Sequence, residues 1–254
     1  MRALPSFDLH AHVDVTIEPS ELVALDAVVF AVTRSLDEAD KALARRDQRT
    51  VWGAGCHPGL VGAQKAFSSD RFREQLSLTP FAGELGLDGK SRVPMELQQR
   101  TLDSAFGVLA DLPRITSLHS YAATAELMLM LDERKPKGVV LHWWLGSAEE
   151  TARAIELDCY FSVNSSSARR RRTLQAIPLD RLLPETDHPF GDRSRGGTRR
   201  PGYVRDVEES IAVIHGLSVA EVHRQLWLNL SSLVSSVGVG GLLPAGLRPL
   251  LAAI

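Results

Sequence analysis

The sequence is poor in cysteine and in aromatic residues, and it carries almost no net charge. Two of its 254 residues are cysteine, 6% are aromatic, and the formal net charge is -2. Two cysteines cannot build the disulfide framework of a small secreted protein, so we expect a reduced, cytoplasmic protein. A charge near zero provides no general attraction to nucleic acid. Any polyanion must therefore bind to a local basic patch or to bound metal.

We also expect no signal peptide and no membrane span, and the given sequence holds none of the common catalytic loops. Its first residues enter a predicted strand with no apolar leader. Residues 233–254 are apolar, but four glycines, two prolines and Arg248 interrupt them, which excludes a spanning helix. We expect one domain, residues 1–236, followed by an apolar tail, residues 237–254, that is docked or frayed. No phosphate-binding loop and no Gly-x-Ser-x-Gly elbow is present.

A regular alternation of strand-like and helix-like segments is the main pattern that is present. Eight apolar, β-branched runs predict strands at residues 7–10, 27–32, 51–56, 81–85, 115–119, 138–142, 159–163 and 182–185. Helical patterns lie between them, including residues 35–49, 94–111, 122–134 and 148–157. Strict alternation predicts parallel strands with right-handed crossovers, and eight such units close into an α/β (β/α)8 barrel. An open doubly wound sheet is the alternative, but it usually carries a glycine-rich loop after its first strand.

Histidines and acids stand where these strands end. Six of the eight histidines lie at such positions, and the first strand ends in His10-Ala11-His12. Alternate strand residues share a face, so His10 and His12 can both point at one ion. The carboxyl ends of barrel strands surround one cavity. The candidate ligands at these ends are His10, His12, Glu84, His119, His142 and Asp187.

The chemistry of this set predicts a pair of metal ions. A buried carboxylate such as Glu84 needs a positive partner, and two ions about 3.5–4 Å apart need a bridging carboxylate. His10 and His12 offer the first ion two nitrogens, and His119 and His142 would complete the second. Asp187 ends the last strand, where it could bind the first ion and accept the proton of an attacking water. A single histidine at a strand end is weak evidence, whereas six ligands on several strands indicate a metalloenzyme.

Five ordered motifs resemble one family. They are Asp8-Leu9-His10-Ala11-His12, Gly55-Cys56-His57-Pro58, Gly83-Glu84-Leu85-Gly86-Leu87-Asp88, Leu141-His142 and Glu185-Thr186-Asp187-His188-Pro189. Together they resemble the TatD family of metal-dependent deoxyribonucleases, which belongs to the amidohydrolase-type barrels. The resemblance runs from about residue 7 to residue 235 and includes a C-terminal helical region with Asn229.

The resemblance implies a TIM-like barrel that hydrolyses phosphodiesters in DNA with two divalent ions, Mg, Mn or Zn. It implies that His10, His12, Glu84 and Asp187 hold one ion, and that Glu84, His119 and His142 hold the other. In the family picture Glu84 is the bridge and Asp187 is the base. The hypothesis is a DNase that acts on single strands or 3′ ends.

Two segments, residues 141–146 and 159–164, resemble most closely the TatD-like member of the Qat antiphage defence systems. This resemblance implies a role in antiviral defence and protein partners within such a system. Some positions depart from the family pattern. Tyr121 follows Ser120 where the family often has arginine, and Trp143 replaces the usual smaller residue after His142. If that arginine normally binds a phosphate of the substrate, another residue must do so here, or the substrate differs from that of the family.

Several residues near the strand ends are candidates for substrate binding. Two arginine-rich segments follow the seventh and eighth strands and include Arg169, Arg199 and Arg200. A guanidinium suits phosphate oxygens, although a solvated charge run is the alternative. Trp143 could stack on a base or pack under the rim. His57 could bind phosphate, support a ligand or play a structural role before Pro58.

Two rival functions remain open at this stage. The same kind of metal centre on related barrels hydrolyses a small-molecule or aminoacyl-type ester or amide. The chain could also be a barrel subunit that is active only within a defence complex, as the apolar tail and the missing arginine after Ser120 suggest.

Overall fold

Strands and helices alternate along the chain in the computed structural model, which describes residues 4–191 and 200–254. The strands in this part of the chain are Ser6–His12 (β1), Ala27–Val32 (β2), Thr50–Trp52 (β3), Phe81–Gly86 (β4), Ile115–His119 (β5), Val139–Leu141 (β6), Tyr160–Val163 (β7) and Leu182–Pro184 (β8). Each lies at one of the eight predicted positions. They are almost entirely buried, as near-continuous apolar runs of a parallel sheet should be.

The strands pair in chain order, and every pair is parallel. One sheet has the order β1-β2-β3 and the other the order β4-β5-β6-β7-β8. A single bridge between Ala54 and Ala82 links β3 to β4. At the other junction the Asp187 N–H donates to the His10 carbonyl and the His12 N–H donates to the His188 carbonyl, both at 2.8 Å. This arrangement is consistent with the predicted (β/α)8 barrel, although the two sheets do not form one closed ladder.

The third strand is shorter than the predicted run of residues 51–56. It leaves the ladder after Trp52 because the Thr33 side chain takes over the hydrogen bonding. The Thr33 hydroxyl donates to the Gly53 carbonyl at 2.8 Å and accepts the Gly55 N–H at 3.1 Å. A Cβ atom at Gly55 would lie 2.4 Å from the Thr33 carbonyl oxygen, so only glycine permits this close approach.

The helices lie between the strands along the chain, and four of those described begin at a serine cap. In the described residues they are Pro19–Ala24 (α1), Leu36–Leu43 (α2), Val61–Ala66 (α3), Ser69–Leu76 (α4), Met95–Asp111 (α5), Thr124–Arg134 (α6), Ala148–Glu156 (α7), Arg171–Ala176 (α8), Arg205–His215 (α9), Val219–Val237 (α10) and Arg248–Leu251 (α11). Ser147 and Ser218 form capping boxes with Glu150 and Glu221. Ser35 caps α2 by accepting the Glu38 N–H.

The α2 helix ends at Leu43, well before the predicted end at residue 49. Side-chain contacts hold the following residues in a loop instead. Arg45 pairs with Asp47 at 2.7 Å and donates to the Val15 carbonyl at 2.9 Å, while Trp52 Nε1 donates to Asp47 at 2.8 Å. Contacts between distant residues therefore override the local helical pattern here.

The C-terminal residues pack onto the rest of the molecule. Leu243 and Leu247 are buried in the same hydrophobic cluster as the strands, and the Gly246 N–H donates to the Gln48 carbonyl at 3.1 Å. Within residues 237–254, the segment predicted to be a docked or frayed tail, Leu243, Gly246 and Leu247 make these contacts with the rest of the molecule. Among the described residues, no helix has both the length and the apolar composition that a bilayer crossing requires.

Candidate metal centre

The histidine pair of β1 lies at the carboxyl end of that strand and points toward Asp187. The Nδ1 atom of His10, a buried residue, lies 2.7 Å from the Ser117 hydroxyl. Its Nε2 atom therefore faces Asp187 Oδ1, at 3.7 Å. His12 is partly exposed, and its Nε2 atom lies 3.4 Å from the same oxygen. The two imidazoles thus converge on one carboxylate, as the His-x-His spacing predicts.

Glu84 lies at the centre of the cluster, and its two oxygens face different histidines. Its Oε2 atom is 3.4 Å from His12 Nε2. Its Oε1 atom faces three further imidazoles, His119 at 3.1 Å, His57 at 3.4 Å and His142 at 3.5 Å. Burial alone would raise the pKa of this carboxyl, but the surrounding histidines hold that pKa well below its usual range.

Asp187 follows β8 in a tight, left-handed turn. Its backbone φ is +45°, and its carbonyl accepts the N–H groups of Phe190 at 2.6 Å and Gly191 at 2.8 Å. Burial raises the pKa of the Asp187 carboxyl, and the His12 hydrogen bond opposes that rise. A carboxyl whose pKa is raised accepts a proton more readily than an ordinary aspartate, which suits a general base.

Several buried atoms of this cluster lack a hydrogen-bond partner among the described residues. They are His10 Nε2, His12 Nδ1, Glu84 Oε2, His119 Nε2, His142 Nδ1 and Asp187 Oδ1. Buried polar atoms without partners are costly, and native structures usually satisfy them. His119 Nδ1 and His142 Nε2 also lie only 3.1 Å apart. Imidazole nitrogens and carboxylate oxygens are suitable donors for Zn, Mn or Mg, so the residues fit a metal centre.

Three compact groups of possible ligands can be separated among the described residues. They are His10, His12 and Asp187; His57, Glu84 and His119; and His10, His142 and Glu185, each with donor atoms within 4.8 Å of one another. The predicted ligands His10, His12, Glu84, His119, His142 and Asp187 are thus all brought together. His57 lies in the same cluster. The Gly59 N–H donates to the His57 Nδ1 atom at 2.8 Å, and the His57 Nε2 atom faces Glu84.

Sequence reasoning missed Glu185, a second fully buried glutamate behind the cluster. Its Oε1 atom lies 3.8 Å from His142 Nδ1 and accepts the Asn164 side-chain amide at 3.0 Å. Its Oε2 atom accepts the Ser162 hydroxyl. These contacts with Glu185, together with Glu84, raise the pKa of His142 well above its usual value despite the opposing effect of burial. The sequence signal that could have identified Glu185 is its position directly after the apolar run of residues 182–184. As argued for Glu84, a buried carboxylate at such a position needs a positive partner.

The cluster forms the floor of a cavity of about 520 Å³. Trp143 is half-buried in its wall, whereas the neighbouring Trp144 is buried in the core. Arg169 and Arg200 are exposed and do not belong to the described lining, and Arg199 lies outside the described residues. The neutral, buried thiol of Cys56 is no nucleophile, because burial raises its pKa to about 12.

The remaining histidines of the described residues belong to none of these groups of possible ligands. His188 is half-buried, and its backbone N–H donates to the Thr186 hydroxyl at 3.1 Å. His223 in α10 bonds to Glu208 through Nδ1 at 2.7 Å and to the Leu4 carbonyl through Nε2 at 3.1 Å. The helical His223 is thus a packing residue.

Comparison with known proteins gives a consistent family match. The family model described as TatD related DNase matches residues 7–235. A protein from Cronobacter turicensis named 3'-5' ssDNA/RNA exonuclease TatD is 30% identical over 191 residues, which cover 70% of this chain and 72% of that protein. The uncharacterized metal-dependent hydrolase YabD of Bacillus subtilis is 29% identical over 150 residues, or 55% of this chain. The chain spans 59% of YabD and 57% of the similar hydrolase YcfH of Escherichia coli.

Solved structures support the fold. The Escherichia coli TatD homologue YJJV aligns with a TM-score of 0.80 at 22% identity, covering 90% of this chain and 97% of that one. A TatD family hydrolase from Entamoeba histolytica aligns with a TM-score of 0.75 at 16% identity, covering 92% and 99%. At these identities the likeness establishes the fold alone.

Proposed function

The chain belongs to the TatD-related DNase family of metal-dependent hydrolases, and on this basis we propose that it is a two-metal phosphodiesterase acting on single-stranded DNA or on its 3′ ends. The observation that carries the proposal is the position of Glu84, a buried carboxylate whose two oxygens face separate imidazole groups. This is the geometry required of a carboxylate that bridges two ions.

The ligand assignment follows the contacts of the two Glu84 oxygens. One ion would be held by His10, His12, Glu84 and Asp187, and the other by Glu84, His119 and His142. The contact of Glu84 Oε2 with His12 and the contacts of Oε1 with His119 and His142 support this division. His57 lies as close to Oε1 as these residues do, so it is a further candidate ligand of the second ion or a phosphate contact.

The side chains of this site would divide the remaining work. Two divalent ions, when bound, polarise a phosphate and lower the pKa of a water toward neutrality. Asp187 would accept the proton of the attacking water, since its carboxylate lines the cavity beside His12. Trp143 would contact the substrate from the cavity wall. Arg169, Arg199 and Arg200 would contact phosphates outside the cavity.

Metal-dependent cleavage of labelled single-stranded DNA tests this proposal. Wild type, Glu84→Ala and Asp187→Asn are compared under Mg, Mn and Zn, with Glu126→Ala on the exposed face of α6 as a carboxylate control. We expect cleavage by wild type and by the control, and its loss in both site variants. Nuclease turnover retained by Glu84→Ala would contradict the assignment. No cleavage by wild type with any ion would favour another substrate class.

A small-molecule or aminoacyl-type ester or amide is the second candidate substrate. The described lining of the cavity contains no arginine or lysine, which is less suited to a polyanion than a basic groove. Turnover of such an ester that DNA does not inhibit would support this candidate. Competitive inhibition by DNA would favour the nuclease.

We further propose, from the resemblance of residues 141–146 and 159–164, a cytoplasmic role in antiphage defence with protein partners. In a strain that carries the defence operon, Asp187→Asn should abolish protection against phage in plaque assays. Protection that survives this change would exclude the catalytic role in defence. If the purified chain turns over DNA alone, it does not need a complex for activity.

A further inference from the structure

The cavity above the metal ligands has a polar floor and an apolar side. The ends of the strands supply the polar floor residues, which are His12, His57, Glu84, Asp88, His119, His142 and Asp187. The segments after β5, β6 and β8 also contribute the apolar side, which consists of Tyr121, Trp143, Leu145 and Phe190. Ser120 and Ser166 line the cavity as well, and the Ser166 hydroxyl donates to the Gly191 carbonyl. A ligand must therefore present a charged part and a flat apolar part together.

Two aromatic rings on the apolar side are unusually exposed. Tyr121 has 52% of its surface accessible and Phe190 has 43%. Both stand at the edge of a cavity whose floor consists of buried carboxylates and imidazoles. Large apolar side chains that are exposed beside a polar cleft are typical of ligand-binding sites.

Backbone contacts hold these aromatic residues in place. The Phe190 N–H donates to the Asp187 carbonyl at 2.6 Å, and the Phe190 ring meets the His12 ring edge-on, with centroids 5.2 Å apart. The Trp143 N–H donates to Glu185 at 3.0 Å. The Tyr121 carbonyl accepts the Gly89 N–H at 2.8 Å. The rings therefore stand on segments that are tied to the metal-binding residues.

We infer that Tyr121, Trp143 and Phe190 form a binding site for unpaired nucleobases beside the scissile phosphate. The inference rests on the proposed phosphodiesterase function and names the part of the substrate that the apolar side recognises. Every base offers a π-face, so stacking tolerates different sequences. In a duplex both faces of a base are already stacked on its neighbours, so this site selects single strands. No described arginine or lysine lines the cavity, so base contacts add to the affinity that the cavity floor supplies.

The test combines a change in the protein with a change in the substrate. Hexathymidylate is compared with a hexamer of abasic residues, which keeps the phosphodiesters and lacks the bases. Turnover is measured with these strands, and binding is measured by fluorescence anisotropy with their phosphorothioate forms. Tyr121→Leu and Phe190→Leu remove a ring, whereas Tyr121→Phe and Phe190→Tyr keep it. Tyr203→Leu is the matched control, because Tyr203 is also 52% exposed and lies outside the cavity lining.

We expect wild type to favour the base-bearing hexamer by about 10-fold or more in kcat/KM, given the strength of base stacking. Each leucine variant should reduce this preference by about 5-fold or more, while the ring-keeping variants and Tyr203→Leu preserve it. Equal turnover of the two hexamers by wild type would overturn the inference. Leucine variants that reduce kcat/KM for both hexamers by the same factor would also overturn it. Base-dependent binding without turnover would support the base site and refute the phosphodiesterase function.

Discussion

The buried carboxylate of Glu185 accepts the backbone N–H of Trp143 at 3.0 Å, while Trp143 itself has a left-handed backbone φ of +42°. A tryptophan rarely adopts this conformation without support from its surroundings. Because Glu185 Oε1 also lies 3.8 Å from His142 Nδ1, one side chain supports both a candidate metal ligand and a ring of the cavity wall.

We expect Glu185→Gln to weaken metal binding without unfolding the protein. Loss of a carboxylate behind a metal-ligating histidine typically costs about 10- to 100-fold in metal affinity. Calorimetric titration with Mn²⁺ measures this effect. Glu208→Gln is the matched control, since Glu208 is also buried and pairs with a histidine, His223, outside the cavity. Unchanged affinity in Glu185→Gln would show that Glu185 does not position His142.

Removal of metal should lower the thermal stability of wild type. Ions that bind only the folded state stabilise it by mass action, and an ion at about 100 times its Kd adds about 2.7 kcal/mol. For a chain of this size, that corresponds to a fall in Tm of roughly 5–10 °C on addition of EDTA. Glu84→Ala should show no such response in differential scanning calorimetry. An equal response in the two proteins would place the stabilising ion elsewhere.

Asp8 should prove essential to the junction between β1 and the segment after β8. This fully buried carboxylate accepts the N–H groups of His10, Thr186 and Gly202 and the Thr186 hydroxyl. Asp8→Ala leaves these donors without an acceptor, at about 1–3 kcal/mol for each buried group. The free energy of unfolding in urea should fall by several kcal/mol, and by less in Asp8→Asn. Wild-type stability in Asp8→Ala would contradict this role.

The pair of His223 and Glu208 should make stability depend on pH. The hydrogen bond to Glu208 raises the pKa of His223 above its ordinary value. A raised pKa in the folded state adds stability that is fully present below the unfolded pKa of about 6.5 and is lost as pH rises through the folded value. The free energy of unfolding of wild type should therefore exceed that of His223→Gln by more at pH 5.5 than at pH 8.5. Urea titrations at both pH values measure this difference, and a pH-independent gap would refute the linkage.

The exposed arginines should affect long substrates and spare short ones. Arg200 is exposed and outside the cavity lining, so it can reach only phosphates that extend beyond the cavity. Arg200→Ala should raise the KM for a long single strand. It should also reduce the slope of the logarithm of the binding constant against the logarithm of the salt concentration, by about 0.7 for each lost phosphate contact. A dinucleotide should be unaffected. Arg224→Ala on α10 is the control, and an equal effect of both changes would indicate general charge attraction only.

Much of the fold was predictable because it depends on local patterns. Apolar runs of four to six residues that alternate with amphipathic segments gave all eight described strands and the main helices. The end of α2 was predicted wrongly, because residues 44–49 are held by the contacts of Arg45, Asp47 and Trp52 rather than by helix propensity. The end of β3 was displaced in a similar way by the Thr33 side chain.

The sequence by itself determined which chemical groups lie at the strand ends. The alternation of side chains between the two faces of a strand and the order of the motifs are both properties of the local chain. It placed His10, His12, Glu84 and Asp187 at one rim. Only the tertiary structure decided that Glu84 turns its two oxygens to different histidines, that Glu185 supports His142 and that one side of the cavity is aromatic. These contacts join residues up to about 70 positions apart, and the packing of the strands against each other fixes them rather than any local pattern.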